Sequence, residues 1–360
     1  MRAVLMQDSR LTVAEVPEPT PGPGEVLVDV LACGICGSDL HCAEHGPDFN
    51  KATKGAAGVE LMDLSKPMVF GHEFVGRLVA HGPQTEGRIP VGSRVVSMPI
   101  LLRDQPVMIG FAGVEAPGAY AERMLLSEPL LIEVPEHMDT RVAALTEPLA
   151  VAYRSVNRAE AGADTVPLVI GCGPIGLAVI AVLKLKGLGP IVAADFSPER
   201  RDLARRLGAD VVVDPAEESP YEALFAAAAT DDPARMAAPT AVLGQLPLRP
   251  TVAFECVGAP GLLQQLISGV PAGSRIVVAG IEMGSDSIEP AQGILKELDI
   301  RFSLYYSPEE FAETFAHLAA GDLDVEPLLT DTVGLEGVAA AFERLRSNPH
   351  DAKILLDPSR

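Results

Sequence analysis

Glu25-Val26-Leu27-Val28-Asp29-Val30 alternates side-chain character as a half-buried strand does, directly after the turn-forming run Pro21-Gly22-Pro23-Gly24. Residues 74–79 and 93–97 read as further short strands, with glycine and proline in the gaps. Residues 48–66 carry little pattern and read as a loop longer than a compact fold needs. From Pro167 the rhythm changes. Residues 168–170, 191–194, 211–213, 251–256 and 275–279 are apolar runs of strand type, while 174–186 and 198–207 are helical. A further helical stretch falls between the last two strands. Strands alternating with helices predict a parallel sheet covered on both faces. Residues 215–250, rich in Ala and Pro, predict helix over part of their length. Residues 308–320 place Phe311, Phe315 and Leu318 at helical spacing, 338–346 form another helix, and 354–356 a closing strand.

Residues 166–183 carry no charge and approach the length of a membrane span. Pro167, Gly171, Gly173, Pro174 and Gly176 within them fit a buried strand, a glycine turn and a buried helix instead. At 360 residues the chain predicts two domains. Aromatic residues make up only 4% and Trp is absent, so the cores are aliphatic. A formal charge of −21 repels phosphate backbones and anionic lipid, which argues against nucleic-acid and membrane partners. The cysteines Cys33, Cys36, Cys42, Cys172 and Cys256 are too few for a disulfide framework. A reducing, cytoplasmic setting fits them, and the start Met1-Arg2-Ala3-Val4, soon followed by Asp8 and Arg10, lacks a signal-peptide core.

Gly171-Cys172-Gly173-Pro174-Ile175-Gly176 matches G-x-G-x-x-G between a predicted strand and a predicted helix. Such a turn also occurs without a ligand. Here Asp195 follows about 20 residues on, at the end of the next strand, where a carboxylate binds the ribose hydroxyls of NAD and repels the extra phosphate of NADP. Arg200 and Arg201 lie close enough in sequence to offset part of that repulsion, or serve only as solvated helix charges.

Gly34-Ile35-Cys36-Gly37-Ser38-Asp39-Leu40-His41, Gly71-His72-Glu73 and Thr146-Glu147-Pro148 carry the donors a catalytic zinc accepts. Cys36 and His72 form a ligand pair, and Glu73 or Glu147 supplies the third donor. Ser38 and His41 offer a hydroxyl and an imidazole for proton relay, although a serine here also suits a helix cap or turn. Cys33-x-x-Cys36 is half of a structural zinc knuckle with no second half, and His72-Glu73 fails as H-E-x-x-H because residue 76 is Gly. Leu101, Leu102 and Phe111 suggest an apolar substrate wall.

Together these motifs resemble the zinc-dependent medium-chain dehydrogenases/reductases, of the alcohol, polyol, butanediol and threonine dehydrogenase kind. The likeness runs from Pro17 to Asp331. It implies a GroES-like β-rich catalytic domain over 1–150, a doubly wound Rossmann cofactor domain over 151–303, a return segment over 304–360, and an active site between the two domains. It further implies Cys36, His72, Glu73 and Glu147 about the metal, with one carboxylate direct and the other through water. Asp39 orients the histidine, and the proton leaves through Ser38, the cofactor ribose and His41. Residues 97–122 lack the four cysteines with which many relatives hold a structural zinc, so one zinc per chain is expected. The family implies a homodimer or homotetramer acting on a small alcohol or ketone. The competing expectations are a zinc-independent quinone or enoyl reductase and a non-catalytic dinucleotide-binding protein.

Overall fold

The computed structural model describes residues 1–235, 244, 247–348 and 350–360. The chain forms two compact units, one of residues 1–148, 311–321 and 329–360, the other of 149–310 and 322–328.

The first unit is built on a seven-stranded sheet. Its order is Leu329–Val333, Lys353–Leu356, Glu25–Gly34, Glu73–His81, Arg94–Ser97 and Leu131–Glu133, with Arg123–Ser127 also paired to Glu25–Gly34. Only the first two strands run parallel; the rest pair antiparallel. The strand read at residues 25–30 extends to Gly34 and is buried along most of its length. An N-terminal hairpin, Arg2–Gln7 with Arg10–Glu15, escaped the sequence reading because the second strand is mostly exposed and its pattern is broken. Val26, Val28, Phe70, Leu78, Leu125 and Phe342 are among the side chains that fill the core of this unit.

Part of the loop expected at 48–66 is helix, since Gly37–Ala57 is helical throughout apart from a kink at His45 (φ −122°, ψ 31°). That kink lets Pro47 enter the second half as though at a helix start, where its missing N–H costs no hydrogen bond. The weak amphipathic pattern hid a helix that packs on one side only.

The second unit holds a six-stranded parallel sheet in the order Val211–Val213, Val192–Ala194, Val166–Ile170, Thr251–Glu255, Arg275–Val278, Asp299–Phe302. In chain order this is 3-2-1-4-5-6, the Rossmann arrangement, with its switch point between the first and fourth strands. The inner strands Val166–Ile170, Val192–Ala194 and Thr251–Glu255 are buried throughout, as strands covered on both faces are. Helix Pro198–Leu207 shows why the boundaries were legible. The Ser197 side chain accepts from Arg200 N, Pro198 opens the helix, and Gly208 closes it at φ +114°. Pro220–Ala228 is the helix found within 215–250; residues 236–243, 245 and 246 lie outside the described residues. The apolar run 166–183 is a buried strand, the glycine turn and most of helix Pro174–Leu185. No described helix is long and apolar enough to cross a membrane.

Leu168 is fully buried on the central strand of this sheet. Leu168→Ala is expected to cost about 3 kcal/mol of stability, through lost burial and the cavity left behind. Urea unfolding of the two proteins measures it, and a loss under about 1 kcal/mol would contradict the packing.

Candidate functional site

Strand Glu25–Gly34 ends two residues before Cys36, which caps helix Gly37–Ala57. Gly34 pairs directly opposite Glu73 on strand Glu73–His81, so His72 and Glu73 arrive beside Cys36. The approach needs glycine: a Cβ on Gly34 would lie 2.0 Å from Glu73 Oε2. One ligand atom each from Cys36, His72 and Glu73 lies within 4.8 Å of the other two. No other three His, Cys, Asp or Glu side chains among the described residues come together this way. Tetrahedral zinc, with bonds of roughly 2.0–2.3 Å, sets its ligand atoms about 3.3–3.8 Å apart. A small closure of side chains therefore suffices, and sulfur, imidazole and carboxylate are donors Zn²⁺ takes.

The surroundings of His72 fit that ion. His72 is 7% exposed; its Nδ1 faces Asp39 Oδ1 at 3.4 Å, and its Nε2 lies 3.4 Å from Ser38 Oγ. Asp39 Oδ1 and His72 Nδ1 have no aligned hydrogen bond, so the two buried atoms look at each other across a gap that ring closure onto an ion would shorten. A proton on Nδ1 directed at the carboxylate leaves Nε2 as the donor. Burial by itself favours the neutral ring, but the Asp39 carboxylate and the Cys36 sulfur outweigh it and raise the His72 pKa well above its ordinary value. Asp39 is fully buried, and its other oxygen accepts from the Tyr120 hydroxyl at 2.7 Å and from Cys36 N at 3.1 Å. Burial first, and Asp39 next, push the Tyr120 pKa well up, so the phenol stays protonated and donates.

Ser38 and His41 are both half-buried, three residues apart on the same helix. Glu147 is buried at the start of helix Thr146–Ala159, and its carboxylate does not join the set of three. Phe111 stacks on the His72 ring with centroids 5.5 Å apart, and Phe49 stacks on Phe111 at 5.9 Å. Of the expected apolar wall, Phe111 stands against His72 of the cluster. Leu101 is fully buried in the core of its unit and Leu102 is exposed, because the two alternate along a short strand end.

Sequence reasoning missed Lys353. Its Nζ donates to both Glu73 oxygens at 2.7 Å and to Ile35 O at 3.0 Å. The one signal was a lone cation opening the apolar run Ile354-Leu355-Leu356.

The dinucleotide motif lies at the carboxyl end of the first strand of the parallel sheet, where ligands bind in such folds. Gly171 has φ +89°, and a Cβ on Gly176 would stand 1.8 Å from Gly171 O, so the turn tolerates no side chain at either position. Gly173 is different: a Cβ there meets nothing within 4 Å. Its bareness leaves open space at the N-terminus of helix Pro174–Leu185, a cradle suited to a pyrophosphate. Asp195 closes one side, with Oδ2 accepting from Cys172 N and Oδ1 from Ser197 N, both at 2.8 Å. Each oxygen keeps a further lone pair for a ribose hydroxyl. Burial, followed by Asp195, pushes the Cys172 thiol up to about 12, so it is inert within the turn.

The two arginines part company. Arg201 is spent on Asp195 O, Phe196 O and Asp214. Arg200 keeps a buried Nε with no hydrogen-bond partner. Across the switch point, Glu255 is 3% exposed and accepts from Val257 N at 2.7 Å and Gly258 N at 2.8 Å. It thereby shapes the turn whose Val257 packs on Gly171. No motif marked Glu255 in the sequence.

Residues 22–136 match the family described as the alcohol dehydrogenase GroES-like domain, and residues 174–320 the family described as zinc-binding dehydrogenase. The chain is similar to (R,R)-butanediol dehydrogenase of Bacillus subtilis (strain 168), at 32% identity over 97% of each chain. It is also similar to sorbitol dehydrogenase of Homo sapiens, at 30% identity over 97% of this chain and 94% of that one. The crystal structure of 2R,3R-butanediol dehydrogenase from Bacillus subtilis superposes with a TM-score of 0.79, at 30% identity and 99% coverage of both chains. With its cysteine–histidine–carboxylate cluster and its glycine turn at a strand end, the chain belongs to the zinc-dependent medium-chain dehydrogenases, which work with zinc and a nicotinamide cofactor.

Proposed function

We propose that this dehydrogenase oxidises a secondary alcohol, and by preference a diol or polyol, with NAD as the acceptor, or runs the reverse carbonyl reduction. The observation that carries this reading is the convergence of Cys36, His72 and Glu73, with Ser38 beside His72. The relatives named for butanediol and sorbitol support the substrate class. We assign Cys36, His72 and Glu73 as the direct zinc ligands and leave Glu147 outside them. Residues 1–150 and 304–360 form the catalytic domain in this reading, and 151–303 the cofactor domain. One zinc per chain is expected, since residues 97–122 carry no cysteine.

A zinc ion so held supplies Lewis acidity toward the substrate oxygen, and NAD supplies the hydride acceptor. The remaining work falls to side chains. Asp39 holds the His72 ring in register. Ser38 Oγ stands beside the donor cluster and takes the hydroxyl proton. His41, on the same helix face, hands it on toward solvent, a task suited to an imidazole. Phe111 keeps water from one side of the His72 ring. Gly173 and the helix N-terminus behind it receive the pyrophosphate, and Asp195 the adenosine ribose, with Arg200 alongside.

Two further features of this reading concern assembly and setting. Asp299–Phe302 is an edge strand, and Ile294, Leu295, Phe302 and Leu304 near it are 60–78% exposed. An apolar open edge supports a homodimer or homotetramer. Five free cysteines support a cytoplasmic enzyme.

The test is metal analysis together with turnover on secondary alcohols, vicinal diols, sugar alcohols and threonine. One zinc per chain and NADH formed from one of these is the expected result. A zinc-free protein that reduces conjugated double bonds with NADPH would establish the quinone or enoyl reductase reading instead. Cofactor choice has its own check. Asp195→Ser is expected to shift the NAD-over-NADP ratio of kcat/KM about 10–100-fold toward NADP, the value of one or two charge-assisted hydrogen bonds. A wild-type enzyme with the lower KM for NADP would refute the assignment.

A further inference from the structure

Lys353 is a buried cation that the reaction described so far does not use. Only 2% of it is exposed, and the Glu73 carboxylate it meets is fully buried. Nζ has three protons and three acceptors: Glu73 Oε1 at 2.7 Å, Glu73 Oε2 at 2.7 Å and Ile35 O at 3.0 Å. Ile35 is the residue before Cys36. One ammonium therefore ties two stretches of chain that deliver metal donors, from a third stretch near the C-terminus. The backbone repeats the connection, for Ile35 N donates to Ile354 O and Leu355 pairs opposite Gly34.

Stability alone is a poor reason for this arrangement. A buried ion pair seldom outperforms well-packed apolar side chains of the same volume, because both charges must be stripped of water. An apolar residue at 353 with a neutral partner at 73 would fold as well. The pair makes sense if Glu73 must remain an oriented carboxylate. Lys353 occupies one lone pair on each oxygen, which leaves a second lone pair free on the Cys36 and His72 side. Ligating carboxylates are commonly fixed by such a partner, and losing the partner costs about 10–100-fold in metal affinity.

We propose that Lys353 is a positioning residue of the metal centre: it clamps Glu73 by both oxygens and thereby selects Glu73, rather than Glu147, as the carboxylate presented with Cys36 and His72. The proposal rests on the zinc reading above. Asp39 faces His72 Nδ1 at 3.4 Å and Lys353 holds Glu73, so each of the two donors on the strand Glu73–His81 side has a buried charged neighbour.

The experiment uses zinc-loaded and cobalt-substituted enzyme. Zinc loss to a chromogenic chelator, the visible d–d spectrum of the cobalt form, and NADH binding by fluorescence are measured for wild type, Lys353→Met, Lys353→Arg and Glu73→Gln. Lys353→Met is expected to lose zinc about 10–100-fold faster and to change the cobalt spectrum, while NADH affinity stays within twofold of wild type. Lys353→Arg, which keeps a bidentate cation, is expected to recover part of the loss. Glu73→Gln and the double variant Glu73→Gln/Lys353→Met should match the single lysine change, because the two residues act as one unit. If Lys353→Met does not fold, Lys353→Gln, which removes the charge and keeps Glu73, takes its place. Wild-type zinc retention and an unchanged cobalt spectrum in Lys353→Met, or in its stand-in, would overturn the proposal. A wild-type chain that takes up no zinc, or a Cys36→Ala chain that holds it normally, would overturn the metal site itself and the assignment of Lys353 with it.

Discussion

Cys36→Ala is expected to leave the purified protein with less than about a tenth of its zinc and to lower kcat/KM by at least about a thousandfold. Thiolate is the strongest zinc donor of the set, and Cys36 sits where strand Glu25–Gly34 gives way to helix Gly37–Ala57. Its neighbours cannot replace it. Cys33 and Cys42 are buried, and burial pushes both thiols well above their ordinary range, so neither readily becomes a thiolate. Lewis acidity toward the substrate oxygen is worth several kcal/mol of barrier, and each 1.4 kcal/mol is tenfold in rate. Metal analysis with NADH formation on the best alcohol measures both. Because Cys36 is at a helix start and not inside the core, thermal unfolding of the metal-free variant should stay cooperative. A Cys36→Ala enzyme that turns over at the wild-type rate would remove zinc from the chemistry.

Ser38→Ala separates the proton route from the metal. The variant is expected to retain its zinc and bind NADH normally, and to lose about 10²–10³ in kcat at neutral pH. A structural role for Ser38 predicts something else. The helix cap is Cys36, with Asp39 returning to its backbone N–H, so Ser38 does not close the helix end. Loss of a cap would appear as reduced stability, whereas loss of a proton acceptor appears in kcat alone. The deficit should narrow as pH rises, because solvent hydroxide then competes for the same proton. Undiminished turnover in Ser38→Ala would assign the proton to another group.

Five strands of the parallel sheet were legible as apolar runs between helix signals, but the edge strand Asp299–Phe302 was not, because Asp299 and Arg301 interrupt it. Ser197-Pro198 and Gly208 bracketed one helix by local capping alone. The helix Gly37–Ala57 was only half legible, since Pro47 and a weak stripe disguised its second half. The hairpin Arg2–Glu15 was not, because few of its second-strand side chains are buried. At the site, the glycine turn and its following acid stood out at fixed spacing. The two carboxylates did not separate: Glu73 and Glu147 look alike in a string of letters.

Sequence by itself determined the class of chemistry. The candidate donors Cys36 and His72, the G-x-G-x-x-G turn with Asp195, and the alternation of strand and helix each lie in a short local motif, so the string of residues exposes them. Tertiary structure decided which side chains meet. Gly34 opposite Glu73 sets one carboxylate beside Cys36, and a C-terminal strand delivers Lys353 to it across 280 residues of chain. Such pairings depend on register between distant strands and on burial, and neither is written in the neighbourhood of the residues themselves.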